Sequence, residues 1–332
     1  MIGRRVVVGG LAAGLAACGP MRQGPGSGLE TVRFVTDWKA EAEHGGFYQA
    51  LADGAYRREG LDVRISPGGP GVNVPQLIAS GAADLGIGSD SFIVARLAQA
   101  KIPLRAVMAC FQKNPQVLIA HADPRIHSLG DLNGHPILIS TAARDSFWPW
   151  LKARYGFTDA QVRTYNFSSA PFLADPRAVQ EGYVTSEPFE IEKVTGKPPR
   201  VFLLADEGYA SYAAMVLAPE RWLTSRPDTI TRFVRATALG WRNFLDGDGS
   251  AARALILKDN PEMSSDLFDH ARAALKSRGI VESGDAQRLG IGAMTDSRWA
   301  AFAGMGMAQR LFPTSLDIRR AYTLQFLPHA RL

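Results

Sequence analysis

An aspartate, a tryptophan and a histidine, Asp37, Trp38 and His44, lie close together immediately after the apolar run 32–36. A tryptophan at the C-terminal end of a strand offers a flat face for stacking on a ring. A carboxylate and an imidazole beside it can bond ring nitrogens or an amino group. Trp38 could equally pack in the core, and His44 could serve only as a helix-start residue. Tyr48 and Phe47 open the helical pattern that follows, where at least one belongs to the core. The glycine-rich stretch 68–72 ends in Asn73, and its amides can face a polar ligand edge or make a plain strand-to-helix turn. It lacks the Lys-Ser/Thr ending of a phosphate loop. Ser89 and Asp90 follow the run 85–87 at a helix start, where capping is the simpler role. Arg144 and Trp148 lie in a second strand-to-helix junction, with Trp150 assigned to the core. Glu187 follows a strand expected to be buried on both faces. Such a carboxylate needs donors, from backbone amides or from an amine-bearing ligand. Tyr183 and Tyr212 complete the candidate set from either side of a chain crossing.

Catalytic motifs do not accompany these residues. There is no Gly-x-Ser-x-Gly, His-Glu-x-x-His, Walker loop or Cys-x-x-Cys. The six histidines are scattered, and His121, His127 and His135 lack metal-ligand spacing, so no metal site is expected. No cofactor is implied.

The elements that must position the candidates alternate. Strands are expected over 32–36, 61–65, 85–87, 105–110, 117–120, 137–139, 180–184 and 201–204, with helices over 45–59, 74–80, 147–155 and 176–179. Helices then dominate, over 228–245, 250–260, 264–276 and 297–311. Such alternation predicts an α/β protein of parallel sheets with helices on both faces. Crossings near 114–120 and 209–216 would divide it into a discontinuous first lobe, 31–116 with 213–332, and a second lobe, 117–212, with a cleft between.

The N-terminus reads as an export signal over 1–17: Arg4 and Arg5 precede a short apolar run, and Leu15-Ala16-Ala17-Cys18 has the form cut before a lipid-bearing cysteine. A glycine-, proline- and serine-rich tether over 18–30 follows. The arginine pair also fits a twin-arginine signal. Losing it lowers the net charge from +5 to +3, which leaves no footprint for nucleic acid. If Cys18 carries lipid, Cys110 has no disulfide partner and is expected in the core. A monomer is expected.

The stretch from Asp37-Trp38 to His44-Gly45-Gly46-Phe47-Tyr48, with Glu59-Gly60-Leu61-Asp62-Val63, resembles the thiamine-pyrimidine binding proteins. These belong to a wider group of importer receptors that includes nitrate, sulfonate and taurine binders. Gln76-Leu77-Ile78-Ala79-Ser80-Gly81-Ala82-Ala83-Asp84-Leu85-Gly86, Asp131-Leu132-Asn133-Gly134 and Gly182-Tyr183-Val184-Thr185-Ser186-Glu187-Pro188 resemble motifs of the whole group. Lys39 to Glu41 depart from the Trp-Thr-Pro-Asn of the pyrimidine branch. The resemblance implies a type II periplasmic-binding-protein fold, two α/β lobes closing on a ligand like a hinge. It also implies a partnership with an ABC permease and its ATPase.

The ligand so implied is a thiamine pyrimidine precursor, such as a hydroxymethyl- or formylaminopyrimidine. Riboflavin, nitrate and alkylsulfonates are the other receptor ligands. An enzyme that makes the pyrimidine precursor is the alternative of another class, although its cysteine-rich iron motif has no counterpart here.

Overall fold

The structure, a computed structural model, describes residues 28–327. The expected lipid site at Cys18, the signal segment and most of the tether lie outside the described residues. Among the described residues, ten strands form two five-stranded sheets. The first contains β1 (Glu30–Val35), β2 (Leu61–Ser66), β3 (Leu85–Asp90), β4 (Leu104–Phe111) and β10 (Ala213–Pro219), in the order β2-β1-β3-β10-β4. The second contains β5 (Gln116–Ala120), β6 (Ile137–Ile139), β7 (Val162–Thr164), β8 (Val179–Tyr183) and β9 (Arg200–Leu203), in the order β7-β6-β8-β5-β9. The chain passes between the sheets twice, over 112–115 and 204–212.

In place of purely parallel sheets, each sheet is mixed. β10 runs antiparallel to both β3 and β4, and β5 runs antiparallel to both β8 and β9. These are the strands on which the chain enters the second lobe and returns to the first, so their direction is set by the crossings. β10 lies where helices were expected to take over. Its sequence, Ala-Ala-Met-Val-Leu-Ala-Pro, has no alternation because every residue is buried. A continuous apolar run of this length does not distinguish strand from helix.

Other local differences have equally local causes. The helix expected over 45–59 is two helices, Gly45–Ala52 and Ala55–Arg58, divided at Gly54, whose φ of 69° suits a residue without Cβ. The helix expected over 176–179 is a turn. Asp175 Oδ1 accepts from the Arg177 amide at 2.8 Å, and Val179 already begins β8. The helix expected to start at Ser89 or Asp90 is Ser91–Gln99, whereas β7 and the helices Glu187–Thr195 and Glu220–Ser225 were not foreseen.

The first lobe carries the long amphipathic helix Pro227–Asp246, whose Phe233, Trp241 and Phe244 are buried with Phe34 and Phe47. Both crossings are tied down. The Gln112 carboxamide donates to the Ala293 carbonyl at 2.8 Å, and the Ser91 hydroxyl accepts from the Tyr212 amide at 2.9 Å. Cys110 is buried in β4, and burial pushes its thiol up, which makes it a small core residue and a poor nucleophile.

Candidate functional site

Between the lobes lies a cavity of about 1120 Å³. Its first-lobe wall forms where β1 and β3 end side by side, as open sheets place their ligand crevices. Asp37 follows β1, Ser89 is near the end of β3, and the Ser89 hydroxyl donates to Asp37 Oδ2 at 2.5 Å. His44 Nε2 is 3.4 Å from Asp37 Oδ1. The ring's Nδ1 accepts from the Glu41 amide at 3.4 Å, which leaves the proton on Nε2, facing the carboxylate. Asp90 caps the helix Ser91–Gln99, accepting from the Ile93 amide at 2.9 Å and the Tyr209 hydroxyl at 3.0 Å. Burial pushes its carboxyl up to about 6. Asn73 stands at the exposed rim, capping Val74–Ala79 through the Gln76 amide at 3.0 Å.

The second-lobe wall comes from β5, β8 and the segments that follow β6 and β8. Glu187 lines it, but its carboxylate is already engaged: Oε2 accepts from the Tyr183 amide at 2.7 Å and the Ser186 hydroxyl at 2.6 Å. The fold back is possible because residue 182 is glycine. A Cβ there would lie 2.7 Å from Glu187 Oε2 and 2.9 Å from its Cβ. The Tyr183 phenol is held well above its usual range by burial and by the facing carboxylates Asp37 and Asp90. Thr185 reaches across the cleft and donates to Glu43.

Carboxyl groups dominate the lining: Asp37, Glu41, Glu43 and Asp90 from one lobe, Asp145, Glu181 and Glu187 from the other. Arg96 and His44 are the basic side chains that line the cleft among the described residues. Burial, followed by repulsion from Glu43 and Glu187, drives Glu41 well above the ordinary carboxylate range; burial, with repulsion from Glu43, raises Glu187, and burial, with repulsion from Glu187, lifts Glu181 to about 7. Protonated carboxyls can donate as well as accept, yet this wall repels an anionic ligand and favours one rich in donors.

At the mouth, the Trp38 ring meets Phe167 of the other lobe, with centroids 4.5 Å apart and planes tilted by 51°. Phe167 was not among the expected residues. It is 46% exposed and adopts φ 63°, a left-handed conformation costly for an aromatic residue. Neither property has a sequence signal beyond an aromatic residue in a polar loop.

The cavity brings together Asp37, Trp38, His44, Asn73, Ser89, Asp90, Tyr183 and Glu187. Four other candidates lie outside it. Tyr48 is buried against the helix Ser250–Asp259, its hydroxyl donating to Asp259 at 2.8 Å. Trp148 is buried and donates to Asp159 at 2.8 Å. Arg144 lies with Trp148 around a separate shallow pocket, because a helical turn directs it away from the lining residues Ala143 and Asp145. Tyr212 is buried beneath Arg298 and bonds Asp285 in the helical part of the first lobe.

The family model described as NMT1/THI5 like matches residues 41–247. A riboflavin-binding protein, RibY, of Chloroflexus aurantiacus is 26% identical over 310 residues, covering 90% of this chain and 87% of that protein. A formylaminopyrimidine-binding protein of Halalkalibacterium halodurans is 25% identical over 252 residues, covering 73% and 74% of the two chains. Among solved structures, the periplasmic aliphatic sulphonate binding protein SsuA of Escherichia coli superposes with a TM-score of 0.62 at 16% identity, covering 89% of this chain and 92% of that one. At that identity the likeness concerns the fold: two α/β lobes of the periplasmic-binding-protein kind.

Proposed function

Because the chain belongs to the NMT1/THI5-like family, we propose that it is the solute receptor of an ABC importer and captures a flat, donor-rich heteroaromatic molecule by closure of its two lobes. The observation that carries this is the pairing of Trp38 and Phe167 from opposite lobes above a wall of carboxyl groups. The two rings meet over the cavity only when the lobes are together, so a planar ligand beneath them that contacts both lobes shifts the population toward the closed form. The acidic wall selects amino, imino and hydroxyl donors and disfavours nitrate and sulfonates.

A hydroxymethyl- or formylaminopyrimidine satisfies these demands, and the formylaminopyrimidine-binding relative supports it. A riboflavin-like ring is the second reading. The cavity of about 1120 Å³ exceeds the roughly 300–1,000 Å³ usual for drug-sized ligands, and the riboflavin-binding relative matches over 90% of the chain. Catalysis is not part of this proposal: the relatives are named for binding, and the Cys110 thiol is buried.

The location that goes with this role is the cell envelope, with the mature chain held to a membrane by lipid on Cys18. Labelled palmitate should enter the wild type and be absent from Cys18→Ser; equal labelling of both would remove the anchor.

A thermal-shift screen of the chain lacking residues 1–18 tests the ligand class, since ligand stabilises the folded state by mass action. The aminopyrimidines or riboflavin should raise the melting temperature, and nitrate and taurine should not. Stabilisation by an anion alone would overturn the assignment.

A further inference from the structure

We propose that Glu181, together with Gln116 on the adjacent strand, forms a specificity-determining acceptor subsite in the second-lobe wall that takes a hydroxyl-bearing substituent of the ring ligand. This rests on the reading of the cleft as a heteroaromatic receptor and adds which part of the ligand is recognised, and where.

β8 is an interior strand, between β6 and β5, where an apolar side chain would be ordinary. Glu181 is only 5% exposed there, and its Oε2 has no hydrogen-bond partner. The Ser140 hydroxyl and amide favour the charged form of this carboxyl, and Oε2 remains without a hydrogen-bond partner. In the antiparallel register, Glu181 lies opposite Leu118 and Gln116 opposite Tyr183. Residues opposite each other share a face of the sheet, so Gln116 and Glu181 are diagonal neighbours on one face. The Gln116 Oε1 is also buried without a partner. Both residues line the cavity.

Two adjacent acceptors left unsatisfied at a cavity wall are costly, and native proteins retain such groups where something else completes them. The protein does not supply the donor: no lysine, arginine or histidine of the second lobe lines the cleft among the described residues. A ligand hydroxyl would. Burial pushes the Glu181 carboxyl up to about 7, and a hydrogen bond from a ligand hydroxyl would favour its charged, accepting form. A site built to bond a hydroxyl discriminates strongly against the analogue that lacks it, because its own buried groups are then left unpaired.

The test uses the chain lacking residues 1–18 and the variants Glu181→Leu and Glu181→Gln. Two ligand pairs serve as probes: 4-amino-5-hydroxymethyl-2-methylpyrimidine against its 5-methyl analogue, and riboflavin against lumiflavin, the same isoalloxazine ring with a methyl group in place of the polyol chain. For whichever ring binds the wild type, Glu181→Leu should weaken the substituted ligand at least about tenfold and the truncated one by less than about threefold. Glu181→Gln, which keeps an acceptor, should lose less. Without ligand, Glu181→Leu should melt higher than the wild type, because it removes an unsatisfied buried carboxyl. Equal weakening of both members of a pair, or a lower melting temperature without ligand, would overturn the subsite. If neither ring binds the wild type, the heteroaromatic reading fails. The ligand-free melting temperature then still decides whether Glu181 is an unused acceptor or a structural group.

Discussion

Trp38 and Phe167 come from different lobes and meet with ring centroids 4.5 Å apart, while the Phe167 backbone is held at φ 63°. One ring is fixed by the end of β1; the other is presented by a loop that accepts backbone strain. Strain of this kind persists at sites that clamp ligands. Trp38→Ala should weaken ring ligands at least tenfold, about 1.4 kcal/mol. Phe167→Gly should weaken them similarly while leaving the ligand-free protein as stable or up to about 1 kcal/mol more stable, because glycine relieves the positive φ. Calorimetric titration and thermal melts check both; a large loss of stability in Phe167→Gly would assign the ring to packing.

Trp148 provides the contrast. It is buried and bonded to Asp159, away from the cleft. Trp148→Phe should lower stability by about 1–2 kcal/mol, through lost packing around the buried ring, and leave ligand affinity unchanged, since Asp159 keeps its ion pair with Lys152. Denaturant melts alongside titrations separate the two effects; altered affinity at unaltered stability would return Trp148 to the site.

Glu187 and Gly182 form one unit. Gly182→Ala places a methyl group 2.7 Å from Glu187 Oε2, displacing the carboxylate from the Tyr183 amide. A loss of about 1–3 kcal/mol of stability is expected, together with weaker binding. Glu187→Ala should weaken ligand at least tenfold, about 1.4 kcal/mol. A normal melt and normal affinity for Gly182→Ala would show that the glycine is dispensable.

Stability should depend on pH in a defined direction. Asp90 and Glu181 hold protons in the folded protein up to about 6 and about 7, while an unfolded chain releases them near pH 4. The folded state therefore binds more protons between these limits. Their contribution is fully present below about pH 4 and is lost as pH rises through 6 and 7. Each is worth on the order of 3 kcal/mol. Exposed carboxylates held low by ion pairs, such as Asp123 beside Arg125 at about 2, act in the opposite sense only at more acid pH. Ligand-free melts should accordingly be higher at pH 5 than at pH 8, with a shallower slope in Glu181→Gln. An equal slope in that variant would remove Glu181 as a source.

The sequence by itself determined the α/β class, most strands of both sheets, and the first-lobe group of Asp37, Trp38, His44 and Ser89. Strand-to-helix junctions are local, and residues at strand ends are placed near a crevice by chain order alone. The mixed character of the sheets was not legible, because β10 and β5 take their direction from long-range pairing and β10 is apolar throughout. Nor could local pattern separate Trp38 from Trp148, since both follow a strand. Only the packing of the second lobe turned one toward Asp159 and left the other at the cleft. Phe167 and Glu181 entered the site for the same reason. Their roles depend on what stands opposite them across the cleft or the sheet, and that is fixed by tertiary contacts between segments far apart in the chain.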